Sequence, residues 1–143
     1  MANKIRKIEF TGLPAQRVSS VHTYYLVMAG ELFLYFPPVA HRMFFKVVCQ
    51  KVLNTVKHGK PYVPKSVFSE DKNYVNNIVG KIRNIFRERG LPGHIIRWNQ
   101  KGLMFGLDGK HVRFRYDNLM LELDEDDKLL LQRVADASPR SIK

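Results

Sequence analysis

Asn73, Asn77, Gly80, Asn84 and Arg87 fall on one side of a helix if residues 70–88 are helical, with Asn76, Lys81 and Arg83 flanking them. No Ser/His/Asp or Cys/His arrangement is legible in the chain. The chemistry of these side chains is recognition. An Asn amide pairs with an adenine edge, and Lys or Arg meets guanine or phosphate. Gly lets another backbone come close. An ordinary solvated helix face mixes Glu, Lys and Gln, because these favour helix. From Lys72 to Arg87 there is no acid at all. Asn costs roughly 0.5 kcal/mol and mid-helix Gly about 1 kcal/mol relative to Ala. A face that gives up helix propensity for amides, cations and bare backbone suits a nucleic-acid groove. A merely solvated basic helix is the plainer alternative.

The helix itself follows from spacing. Val75, Ile78, Val79, Ile82, Ile85 and Phe86 recur on the opposite side at the helical period. Ser69 is a good N-cap, with Glu70 and Asp71 in a first turn that favours acids. Arg87 and Arg89 suit the last turn, and Gly90 and Pro92 stop it. A hairpin is then expected: strand His94–Trp98, turn Asn99–Gly102, strand Leu103–Leu107. Asp108-Gly109 is a further turn signal. Lys110–Tyr116 alternates, with Val112, Phe114 and Tyr116 one way and His111, Arg113 and Arg115 the other, so a basic-faced strand is expected beside the hairpin.

Upstream, Met43, Val47, Val48, Val52 and Val56 predict a helix over Val39–His58, introduced by Pro37-Pro38 and closed by Gly59 and Pro61. The stretch 60–68 carries too much proline for a strand interior. A short helix or turn near Pro64–Phe68 leads to the cap. Before this helix the chain reads as β structure: Lys7–Phe10 a short strand, Thr11–Pro14 a turn, Val18–Met28 a strand, Ala29-Gly30-Glu31 a hairpin turn, and Leu32–Phe36 the return. After Tyr116, Leu119–Leu123 reads as a strand or extended connector. Asp124 then caps a short helix with Glu125, Asp126 and Asp127 in its first turn and Leu129, Leu130, Leu131 and Val134 as its apolar face. The tail 137–143 is expected to be mobile.

The 143 residues fit one domain with a sizeable core. Residues 1–38 form its N-terminal β section, 39–116 its centre and 117–143 an acidic helix and tail. Net charge is +11, concentrated in residues 40–116, which carry sixteen Lys/Arg against four acids. Such a block is the electrostatic footprint of a nucleic-acid binder, though an acidic protein or membrane surface would attract it too. The single cysteine, Cys49, excludes an internal disulfide and reads as core. No apolar run is long enough to span a membrane and no secretory leader is legible. A cytoplasmic protein is expected, nucleoid-associated in bacteria or in a host cytoplasm if phage-encoded.

Residues 36–105 resemble the winged-helix effector domain of OmpR/PhoB-type response regulators. The family's first helix begins roughly T-P-x-E-[FY]-x-L-L, and Pro37 to Phe44 stand there without the acid or the aromatic. Its recognition helix reads roughly V-D-V-H-I-x-R-L-R-x-K-L. Val75, Val79, Lys81, Ile82, Arg83 and Phe86 match, while Asn76 and Ile78 replace Asp and His. Its wing reads roughly I-x-T-V-x-G-x-G-Y-x-F, matched by Ile95, Trp98, Gly102 and Phe105, with Arg97, Gln100 and Leu103 in place of Thr, Gly and Tyr. The resemblance covers about half the chain, which is too short for a receiver domain as well.

The resemblance implies an α+β winged helix-turn-helix, with an N-terminal antiparallel sheet and a C-terminal extension, that binds double-stranded DNA as a transcriptional regulator. Residues 70–87 would lie in the major groove. The hairpin would be the wing, with Lys101 reaching a minor groove or phosphate and Arg97, Arg113 and Arg115 flanking. Lys81, Arg83, Arg87 and Lys101 are assigned mainly to phosphates, and Asn73, Asn76 and Asn77, with Lys81, to base edges. A homodimer or a transcription-machinery partner would add specificity. No enzymatic activity, cofactor or metal is expected. His22, His41, His58, His94 and His111 lack ligand spacing, and helix capping explains the acids at 124–127. Trp98 reads as core rather than as a base-stacking platform. Two rivals remain open: a protein–protein adaptor on the same scaffold, and an RNA binder or small nuclease.

Overall fold

The computed structural model describes residues 4–16, 23–60, 62–68 and 71–143. The chain runs β1 (Ile8–Gln16), β2 (Thr23–Ala29), β3 (Leu32–Phe36), α1 (Pro38–His58), β4 (Tyr62–Val63), α2 (Lys72–Glu88), β5 (Ile96–Trp98), β6 (Leu103–Phe105), β7 (Val112–Phe114), α3 (Tyr116–Glu122) and α4 (Glu125–Ala137). Two sheets form, β3-β2-β1-β7 and β4-β6-β5. The fold is mixed α and β.

α1 is the spine between the sheets. It packs on β2 and β3 on one side, on β4 and β6 on the other, and against α2 and α4. A run of aromatics makes this possible. The Phe44 ring meets Phe10 at 5.3 Å, Phe36 at 5.2 Å, and Phe86 and Phe105 at 5.6 Å, so one side chain ties both sheets to α2. Such ring pairs add about 0.5–1.5 kcal/mol each beyond burial. Pro38 opens α1, and Gly59, at φ 65°, closes it with its N–H on the Thr55 carbonyl. Cys49 is fully buried.

Several expectations change. β1 does not turn at Thr11–Pro14 but continues to Gln16, with its register to β2 shifting between Phe10 and Pro14. Gly12 (φ 69°) absorbs the bulge, and Pro14 pairs with Tyr25 of β2 beyond the stretch of β1 that pairs with β7. The part of the expected second strand from Val18 to His22 lies outside the described residues. Tyr62 and Val63 do form a two-residue strand, which the prolines around them argued against. The strands expected over His94–Trp98 and Leu103–Leu107 shorten to β5 and β6, with a 3₁₀ turn over Gly93–Ile95. Val56 is exposed on α1, as is Leu129 on α4.

The largest correction concerns residues 110–143. β7 does not extend the hairpin. It crosses to the other sheet and pairs in parallel with β1, Ile8 opposite Val112 and Phe10 opposite Phe114. The Phe10 and Phe114 rings stack at 5.3 Å, so burial of Val112 and Phe114 decides the partner. Tyr116 starts α3, and Leu119–Leu123 is helical or a helix end rather than a strand. The tail is docked: Lys143 N–H donates to the Phe114 carbonyl at 2.8 Å and Ser141 is fully buried.

Candidate nucleic-acid interface

The first turn of α2 is capped by Asp71, whose carboxylate accepts from the Asn73 N–H at 2.8 Å. Ser69 and Glu70, expected as cap and first turn, lie outside the described residues. Val75, Ile78, Val79, Ile82 and Phe86 are buried, and Ile85 is half-buried. This anchoring fixes the opposite face. Asn73, Asn76, Asn77 and Asn84 are all exposed, and among the described residues none of their amides has a hydrogen-bond partner. A Cβ added at Gly80 would meet nothing within 4 Å, so the backbone there opens directly to solvent.

The cations divide into groups with different freedom. Lys81 is exposed on the flank that faces β3. Arg83 and Arg87 turn to the other flank, above the Gly93–Ile95 turn. Arg83 is half-buried with an unpartnered, enclosed Nε. Arg87 lies over Gly93: a Cβ there would stand 2.7 Å from Arg87 Nε. Lys81 is therefore a free cation, while Arg83 and Arg87 also pack.

β5 and β6 pair in the expected hairpin, and β6 pairs on its other side with β4. The turn is tight. Asn99 N–H donates to the Gly102 carbonyl at 2.8 Å, and Asn99 Oδ1 accepts from Lys101 N at 2.8 Å and Gly102 N at 3.0 Å. Arg97 is exposed on β5. Lys101 Nζ lies 5.7 Å from the Tyr62 ring centroid, folded back over β4. Trp98 is half-buried, edge-on to Phe68 at 6.4 Å.

Arg113 and Arg115 do not join this surface. They belong with β7, on the edge of the other sheet, while α2 packs near β3 at the opposite edge. Three strand spacings of about 4.8 Å separate those edges. Arg115 Nε donates instead to Glu9 Oε2 at 2.7 Å, with Lys143 Nζ on Oε1 at 2.8 Å. Burial raises the Glu9 pKa, but the Lys143 hydrogen bond and the charges of Arg115 and Lys143 outweigh it and leave the carboxyl below its ordinary value. Arg113 donates to the carbonyls of Lys110 and Val112.

Beside this surface, and off the outward face of α2, Phe33, Tyr35 and Arg89 line a separate groove, and none of the three is among the site residues that the sequence suggests. Phe33 and Tyr35 are exposed on β3, facing a groove of about 430 Å³ whose other wall is α2. Strand geometry turns every second residue of Leu32–Phe36 outward, but the run is apolar throughout, so the sequence does not show which residues are exposed.

Other features serve the fold. Lys51 is buried with its Nζ on the Leu107 carbonyl, and burial lowers its pKa. Asp124 caps α4, accepting from Asp127 N at 3.0 Å. Among the described residues no group of three or more His, Cys, Asp or Glu could hold a metal ion, and no helix is long and apolar enough to cross a membrane. No family model matches the chain, and neither the curated proteins nor the solved structures give a match. Function must be read from this geometry.

Proposed function

We propose that α1, the 3₁₀ turn at Lys65–Val67, α2 and the β5–β6 hairpin form a winged helix-turn-helix that binds double-stranded DNA, with α2 in the major groove. The order of elements supports this reading, as does the pairing of β4 with the hairpin. The observation that carries it is the outward face of α2: four amides that meet no hydrogen-bond partner among the described residues, an open Gly80 backbone and no acid between Lys72 and Arg87. A helix of ~10–12 Å diameter fits the ~12 Å major groove. Asn73, Asn76 and Asn77 present amides to base edges. Lys81, with Arg97 from the hairpin, meets phosphate. Lys101 must leave the Tyr62 ring to do so.

Fluorescence anisotropy with a labelled random duplex tests the reading. Binding should weaken steeply with salt, by roughly 10³-fold or more between about 50 and 200 mM if some six phosphates are neutralised. Asn77→Ala/Lys81→Ala should weaken binding at least tenfold while leaving the melting temperature unchanged or raised. No duplex binding at about 50 mM salt would overturn the proposal. Adaptor and RNA readings then become the stronger ones.

A further inference from the structure

We propose that the groove between α2 and the outer face of β2–β3 holds an unpaired stretch of DNA running on from the duplex, so that the preferred ligand is a junction of double and single strand. The inference rests on the duplex reading above. Phe33 and Tyr35, 45% and 40% exposed, stand at alternate positions of β3, while Leu34 and Phe36 between and beyond them are fully buried. Side chains two apart on a strand are about 6.6 Å from each other. That is near twice the ~3.4 Å rise of stacked bases, so the spacing leaves room for one base between the two rings.

The facing wall has the matching chemistry. Lys81 and Arg89 supply cations for the backbone and Asn84 an amide for a base edge. Glu88 also lines the groove. It repels phosphate but accepts from the amino group of cytosine or adenine. Lys81 and Asn84 belong both to this wall and to the outward face of α2. A strand leaving the major groove therefore passes from one surface to the other over side chains already in place. A protein partner is favoured less, because two cations line a groove that shares Lys81 and Asn84 with the outward side of α2.

The test compares a blunt labelled duplex with the same duplex carrying an eight-nucleotide single-stranded extension on either end, using wild type and Phe33→Ala/Tyr35→Ala. Both rings are exposed, so the variant should fold, and its circular-dichroism melt checks this. Stacking on an aromatic is worth about 1–3 kcal/mol per base. Wild type should therefore bind the extended duplex at least tenfold more tightly than the blunt one, and the variant should lose that preference while binding the blunt duplex unchanged. Equal wild-type affinity for the two ligands overturns the inference and leaves the duplex reading standing. Binding of the extension without any binding of the blunt duplex sinks the duplex reading and keeps the groove. Binding of neither sinks both. A wild-type dimer in sedimentation that the variant dissociates, with no change in DNA preference, would assign the rings to pairing between copies and overturn the inference.

Discussion

Gly102 packs directly against Val63: a Cβ on Gly102 would stand 2.9 Å from the Val63 carbonyl carbon and 3.1 Å from Pro64 Cα, and closer still to the Val63 oxygen. These are backbone atoms of β4 and its exit, which cannot swing aside. The contact sets the hairpin against β4 and fixes where Arg97 and Lys101 emerge. Gly102→Ala should therefore cost about 2–4 kcal/mol in urea unfolding, at the upper end of single substitutions. It should weaken duplex binding by loosening the hairpin. A cost under 0.5 kcal/mol would mean that the turn can move away from β4.

Gly80 gives the opposite expectation. It lies mid-helix with open space around it. Ala there should raise stability by about 1 kcal/mol, since Gly is that much worse than Ala in a helix interior. If the bare backbone is there for a ligand, the same Gly80→Ala variant should bind duplex at least tenfold more weakly. A variant that is more stable and binds equally well would remove Gly80 from the interface.

Glu9 holds the two ends of the described chain together through Arg115 and Lys143. Glu9 is 5% exposed. Glu9→Gln leaves two cations without their counter-charge and should cost roughly 1–3 kcal/mol at pH 7. Because the folded pKa is lowered, the stabilisation is present above the unfolded value of 4.5 and is lost as pH falls below it. Wild type and Glu9→Gln should therefore converge in stability toward pH 3. A gap as wide at pH 3 as at pH 7 would show that packing, not charge, makes Glu9 matter.

The helices are legible in the sequence because burial decides them: α2 carries a one-sided apolar stripe, α1 is buried around most of its circumference, and both begin and end close to where prolines, glycines and apolar spacing place them. The face of α2 was legible for the same reason. Short strands were not. Tyr62–Val63 and Val112–Phe114 are too brief for alternation to register, and their partners are set by distant residues, Leu103–Met104 for one and Ile8–Phe10 for the other. Arg113 and Arg115 follow the hairpin closely in sequence, and the winged-helix resemblance implies that they flank it. Stacking of Phe114 on Phe10 moves them to the far sheet, a contact spanning over a hundred residues. The docked tail was hidden likewise, since a lone buried Ser141 and one bridge at Ile142 leave no periodic trace.

His41 and Asp127 line one small cavity of about 120 Å³, together with Arg42, Glu122 and Asp124. His41 lies among Phe10, Tyr25 and Phe45, and burial lowers its pKa to about 4 from 6.5. Burial first, then Asp124, raises Asp127 to about 6 from 3.8, against the pull of Arg42 and Lys46. The signs oppose. His41 contributes stability that is full above pH 6.5 and lost as pH falls toward 4. Asp127 contributes stability that is full below about pH 4 and lost as pH rises through 6. Between pH 5 and 6 each slope is about 1 kcal/mol per pH unit, so wild type should be nearly level there. Asp127→Asn should make stability climb with pH across that window, and His41→Leu should make it fall. Urea unfolding at half-unit steps reads both slopes. Two variants sloping the same way would show that the cavity does not set these ionisations, and that one of the two groups reaches water.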